Sequence, residues 1–221
     1  MNPRQLFVTV LFSLASFAAT AANKVETTGP CTNTEIADAM KATLQPQGFR
    51  VVGDSGVLCE VWMRKTIPQK SGASGANYGS LANGTFVGVI TYTGKAGDFR
   101  GQPIKPGTYT LRFQTIPSDG NHLGVAPSPE FFLLAPASAD KDPTAQLGYE
   151  ELVKLSKQAS GTNHPHPLNL AQPTGAGNPT FKQVGEGERW VLESKTKAQP
   201  AGGGAEVDFP FAVILIGKAE G

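Results

Sequence analysis

Cysteine, histidine and charge are all scarce in this 221-residue chain, and each shortage removes a class of function. Two cysteines without C-x-x-C spacing leave no dithiol redox motif and no thiol-rich zinc module. Charged residues make up 17% of the chain, below the usual quarter, and the net charge is +1. No basic stripe exists to neutralise phosphates, so nucleic acid is excluded as a partner. Long apolar runs are missing after the first twenty residues. The strongest later one, 209–217, is half the length needed to span a bilayer and suits a buried strand. The Gly-rich stretch 71–84 lacks a Gly-Lys-Ser/Thr ending and a following helix, which rules out a phosphate-cradling loop. No fixed-period repeat is evident.

What the chain does have begins at residue 1. A short basic head with Arg4, an apolar run over 6–19 and the string Ala19-Thr20-Ala21-Ala22 read as a cleavable secretory signal over 1–21. The expected location is secreted or periplasmic, with membrane contact only through this segment if it stays uncleaved. No Cys follows the small residues, so lipid attachment is not indicated. An oxidising compartment makes a Cys31–Cys59 disulfide the default expectation, contributing on the order of 3–4 kcal/mol by chain-entropy arithmetic.

Gly and Pro are abundant, at 26 and 17 residues, the profile of strands joined by many turns. A short helix is expected over 34–44, capped by Thr32 or Asn33, with Ile36, Ala39, Met40 and Leu44 near one face. Strands over 49–52 and 57–64 flank Gly53-Asp54-Ser55-Gly56, a tight hairpin turn. That tetrad resembles the nucleophile motif of chymotrypsin-like proteases. Every histidine here follows the serine, whereas in those enzymes the histidine precedes it, and the turn reading prevails. Further strands are expected over 84–92, 108–113, 130–135, 179–184, 189–195 and 206–216. On the 108–113 strand Tyr109, Leu111 and Phe113 would face a core, while Thr108, Thr110 and Arg112 would face solvent. A second helix is expected over 142–160, with Asp142 as N-cap and Pro143 at its first position. The sum is a mainly β chain: a single β-sandwich over 22–221, jelly-roll or immunoglobulin-like, with a short N-terminal helix and one inserted helix.

The run Gly101-x-x-Ile104-x-x-Gly107-Thr108-Tyr109-x-Leu111, followed by Thr115-Ile116-Pro117, resembles an uncharacterised family of secreted bacterial β-sandwich domains. The resemblance implies fold and location and brings no catalytic residues.

Three histidines carry the sharpest chemical possibility. His164 and His166 stand i, i+2 with a proline after each, a spacing that places two imidazoles on one side of an extended segment. With His122, or Asp119 or Glu130, as third ligand they would form a zinc or copper site; the plainer reading is solvated loop histidines. Trp62 and Trp190 are either core residues or a sugar-stacking platform. Asn83-Gly84-Thr85 fits a glycosylation sequon. The leading expectation is a non-enzymatic module that binds an extracytoplasmic ligand, a glycan or another envelope component, through loops 71–84, 116–129 and 161–178. A metal protein using His164 and His166, or a structural envelope protein, stands as the alternative.

Overall fold

The computed structural model describes residues 23–117, 128–185 and 189–217; the expected signal segment, Asp119 and His122 lie outside them. In chain order the elements are β1 (Lys24–Thr28), α1 (Asp38–Lys41), β2 (Gly48–Gly53), β3 (Gly56–Met63), β4 (Thr66–Pro68), a 3-10 turn (Tyr78–Ser80), β5 (Phe86–Tyr92), β6 (Ala96–Gly97), β7 (Pro103–Ile104), β8 (Gly107–Thr115), β9 (Glu130–Pro136), α2 (Tyr149–Ser160), β10 (Pro167–Asn169), β11 (Thr180–Gln183), β12 (Trp190–Gln199) and β13 (Val207–Ile216). The molecule is mainly β and forms a sandwich, as its Gly/Pro-punctuated alternation predicts.

The large sheet has seven antiparallel strands in the order β1-β2-β3-β5-β8-β9-β10, so its spatial order follows the chain. The small sheet is β11-β12-β13, with β4 added parallel to the far end of β12. A bridge between Leu170 and Val213 joins the sheets on one side. Gly53 pairs with Gly56 across the two-residue loop Asp54-Ser55, so the protease-like tetrad is a hairpin turn.

The core lies between the sheets. Phe49, Val61, Ile90, Leu111, Phe113 and Phe132 from the large sheet meet Leu192, Phe209, Phe211 and Val213 from the small one, all buried. Each such side chain stabilises the fold by about 1.5–3 kcal/mol relative to exposure. Tyr78 joins them from within the Gly-rich 71–84 segment. Its hydroxyl accepts the Ala212 N–H at 2.7 Å, so this stretch is pinned to the core by one aromatic side chain.

The outer face of the large sheet is covered too, and this overturns the expectation of a solvated face on β8. Thr110 and Arg112 are both 0% exposed. The Arg112 guanidinium donates Nε–H and Nη2–H to the two carboxylate oxygens of Asp140, at 2.8 and 2.6 Å. It also donates to the carbonyls of Gly84, Ala145 and Asp142 and lies 5.6 Å from the Phe86 ring centroid. All five guanidinium donors are therefore engaged. Two of those carbonyls, on Asp142 and Ala145, would have to accept intrahelical bonds in a helix starting at 142. The helix instead begins at Tyr149, and Asp142 closes a local turn by accepting from the Thr144 N–H and hydroxyl. It ends at Gly161, whose φ of +66° supplies the left-handed stop.

Beside this segment, Ile36, Met40 and Leu44 pack with Trp62, Phe86 and Val89 in an outer cluster. The three anchors match the expected stripe, although α1 is a single turn. Asn33 bonds the Glu35 N–H and the Thr108 hydroxyl instead of capping a longer helix. Phe86 and Val89 face outward while Val87 and Ile90 face inward, because a bulge between Phe86 and Gly88 shifts the alternation by one residue. Gly88 is required there: a Cβ would sit 2.6 Å from the Trp62 carbonyl oxygen.

The expected Cys31–Cys59 disulfide is not formed, and both thiols are free. Cys59 points inward from β3 with Val61 and Met63, whereas Cys31 packs in the outer cluster with Trp62. The strand period of two turns Cys59 into the core, whereas Cys31, in the segment between β1 and α1, packs over the outer face, so the sheet lies between the two thiols.

Candidate functional site

A largely apolar cleft able to hold another molecule lies at the β10 edge of the large sheet. There α2 packs across the outer face of β9, burying Leu152 against Phe131 and Leu133. The helix does not reach the edge strand fully, and a cleft open to solvent, with an inner volume of about 90 Å³, remains. Phe131 and Leu133 form its floor, and Tyr149 and Val153, one helical turn apart, form one wall. Ile116 and Pro117 close one end, and Pro165, Pro167 and Asn169 line the opposite side. Two of the three loops singled out by sequence, 116–129 and 161–178, thus contribute to it.

Arg100 is the one charged side chain among the described residues lining the cleft. It belongs to the β6–β7 hairpin, whose turn is built around Asp98. Asp98 is 1% exposed, and its Oδ1 accepts the backbone N–H groups of Arg100 and Gln102 at 3.0 and 2.9 Å. Its Oδ2 accepts from Gln102 Nε2 at 3.1 Å and from Arg100 Nη2 at 3.4 Å. Arg100 Nη2 also donates to the Pro165 carbonyl at 2.8 Å, which ties the hairpin to the segment leading into β10. Burial pushes the Asp98 carboxyl up, but the hydrogen bonds from His166 and Gln102 and the Arg100 charge outweigh it and hold the group below its ordinary range.

His166 is 0% exposed, with Nδ1 3.5 Å from Asp98 Oδ2 and its backbone N–H donated to the Ser156 hydroxyl of α2 at 2.9 Å. Its Nε2 is buried and has no hydrogen-bond partner. A histidine paired with aspartate would need that nitrogen at a hydroxyl, a thiol or a substrate to act as a general base. His164 is exposed, and its N–H bonds the Thr162 hydroxyl. The i, i+2 histidines therefore do not converge: one is packed inside against Asp98 and the other faces solvent. The expected third ligand, His122, and the alternative Asp119 lie outside the described residues. Glu130 pairs with the Ser128 hydroxyl. Among the described residues no three His, Cys, Asp or Glu side chains gather as a metal centre would require.

Neither tryptophan reaches the cleft. Trp62 is buried and donates to the Gly29 carbonyl at 2.9 Å, and Trp190 packs on Phe181 with ring centroids 5.5 Å apart. Both are packing residues. A separate buried carboxylate, Glu193, accepts from the Thr174 and Ala176 N–H groups and the Thr174 hydroxyl. Those bonds outweigh its burial and lower its pKa, and they fasten the 171–178 segment to the small sheet.

The chain matches no family model, no curated protein and no solved structure. Its site is accordingly read from its own geometry. Sequence reasoning used the run from Gly101 only as a family resemblance and passed over Asp98, Arg100 and Asn169. The available signal was the Asp98-x-Arg100-x-Gln102 spacing, a carboxylate two and four residues ahead of the groups it binds. Nothing local connects that turn to the His-Pro segment more than sixty residues later, since the contact is tertiary.

Proposed function

We propose that this protein is an exported, non-enzymatic binding module, secreted or periplasmic, that holds a small ligand in the cleft between α2 and the β9–β10 edge. The carrying observation is the cleft itself: a solvent-open groove walled by apolar and aromatic side chains, with few polar groups at its rim. Sites for small molecules have this composition. The rigid sheet floor and the anchored Asp98 turn support a binding reading, because they preorganise a shape. The basic, apolar and small-residue order of 1–21 supports export, with the mature chain starting near Ala22.

A small-molecule library screened by thermal shift tests the binding reading. Compounds that raise the melting temperature of wild-type protein should lose their effect in Val153→Trp, which fills the cleft from the helix side, while the ligand-free variant keeps its cooperative unfolding. Stabilisers acting equally on both proteins, or no stabiliser in a broad library, would refute the cleft. N-terminal sequencing of the protein recovered from the extracytoplasmic fraction tests export; a chain still beginning at Met1 in the cytosol would refute it.

A further inference from the structure

We infer that the cleft takes an apolar monocarboxylate, its anionic end held by Arg100 and Asn169 and its hydrocarbon body lying on Phe131 and Leu133. This inference rests on the cleft being a ligand site and specifies what occupies it. Arg100 is 37% exposed in its side chain. Its Nη2 hydrogens are committed to the Pro165 carbonyl and Asp98, which fix the guanidinium in place. Nε and Nη1 have no protein partner among the described residues, so the cleft's one charged side chain among the described residues carries anchored, unspent donors.

Asn169 is a second polar group at the cleft. It is 5% exposed as a residue, and no described residue hydrogen-bonds its carboxamide. Its register opposite Phe131 puts it on the outer face, the side on which α2 and the cleft lie. An arginine and an asparagine amide both donate to an anion's oxygens, and the remaining surface is Ile116, Phe131, Leu133, Val153 and the Tyr149 ring.

Competing ligand classes fit less well. A cation meets the guanidinium. A sugar finds almost no acceptors for its hydroxyls along an apolar floor. A phosphate dianion calls for more positive charge than one arginine already shared with Asp98 supplies. A carboxylate carrying an apolar body satisfies both the guanidinium and the apolar floor.

The test uses two probes of one shape, 4-phenylbutyrate and its neutral amide, titrated by calorimetry into the wild-type protein. The carboxylate should bind saturably and about 10- to 100-fold tighter than the amide, the range expected for a charge-assisted hydrogen bond. Its affinity should fall as salt rises. Arg100→Gln should erase the preference, Arg100→Lys should keep part of it, and Val153→Trp should weaken both probes. Equal or tighter binding of the amide, with both probes still sensitive to Val153→Trp, overturns the ligand class and leaves the cleft reading intact. Binding of either probe that Val153→Trp does not change overturns both. Failure of the carboxylate to bind wild-type protein overturns the ligand class, and the library screen then decides the cleft separately.

Discussion

Replacing Asp140 by Ala should be among the most destabilising single changes this protein can suffer. The substitution removes both carboxylate acceptors of Arg112 and the bond from the Thr110 hydroxyl at 2.5 Å. It leaves a guanidinium at 0% exposure with three backbone carbonyls and no counter-charge. Breaking a buried ion pair from one side costs about 3–5 kcal/mol, because the surviving charge stays desolvated. For a domain of this size about 1 kcal/mol shifts the melting temperature by roughly 2–4 °C, so the expected loss is roughly 10–15 °C. Urea unfolding followed by tryptophan fluorescence measures it, with the slope against denaturant unchanged if the fold is intact. The double variant Arg112→Met/Asp140→Leu separates the pair from its surroundings. It forfeits the bonds to the Gly84, Ala145 and Asp142 carbonyls but leaves no lone charge, so it should be about 2 kcal/mol or more better than the sum of the two single losses. A loss below about 1 kcal/mol for Asp140→Ala, or strictly additive losses in the double variant, would show that the pair does not hold the outer segment.

Two further outcomes follow from groups already described. Asp98 is held below its ordinary pKa in the folded state, so its contribution is complete above about pH 4 and is lost as pH falls through the folded value. Asp98→Asn should flatten the acid-unfolding profile in that range, and profiles that stay parallel from pH 5 to pH 2 would contradict the assignment. Thiol labelling in denaturant without reductant should count two free cysteines. In the native protein both should react slowly, since burial raises both thiols and Cys59 is wholly enclosed. Zero thiols in the denatured count would mean that the two sheet faces are not arranged as described.

How far the sequence carried depends on the range of the interaction that decides each feature. Strands β5, β8, β9 and β13 were legible because apolar alternation and Pro/Gly turns are local signals. Their environment was not. Thr110 and Arg112 read as solvent-facing because polar residues on alternate positions normally are. They are buried because residues 137–147 fold over them, anchored by the Asp140 carboxylate and by backbone carbonyls that leave no mark in the sequence. The bulge at Phe86 is similarly silent, since Gly88 reads as a weak strand residue until Trp62 is placed against it. The disulfide expectation failed on placement: compartment and count favoured a bridge, but the register of β3 turns Cys59 inward while the segment between β1 and α1 carries Cys31 over the opposite face. At the cleft, two of the loops chosen by length supply lining residues, while Asp98, Arg100 and Asn169 come together only through contacts between the β6–β7 hairpin and the β10 edge.

The order of strands in the large sheet sets a direction for assembly. Each strand from β1 to β9 pairs with one that precedes it in that sheet, so the sheet can lengthen as the chain emerges, with short loops closing first. Its inner face then waits uncovered, because β11, β12 and β13 all come from residues 180–216 and β4 can join only when β12 arrives. A chain cut or stalled before residue 180 would present a broad apolar sheet with nothing to cover it, the kind of surface that aggregates or is captured by chaperones and proteases. The C-terminal quarter therefore acts as the checkpoint between a growing sheet and a finished molecule.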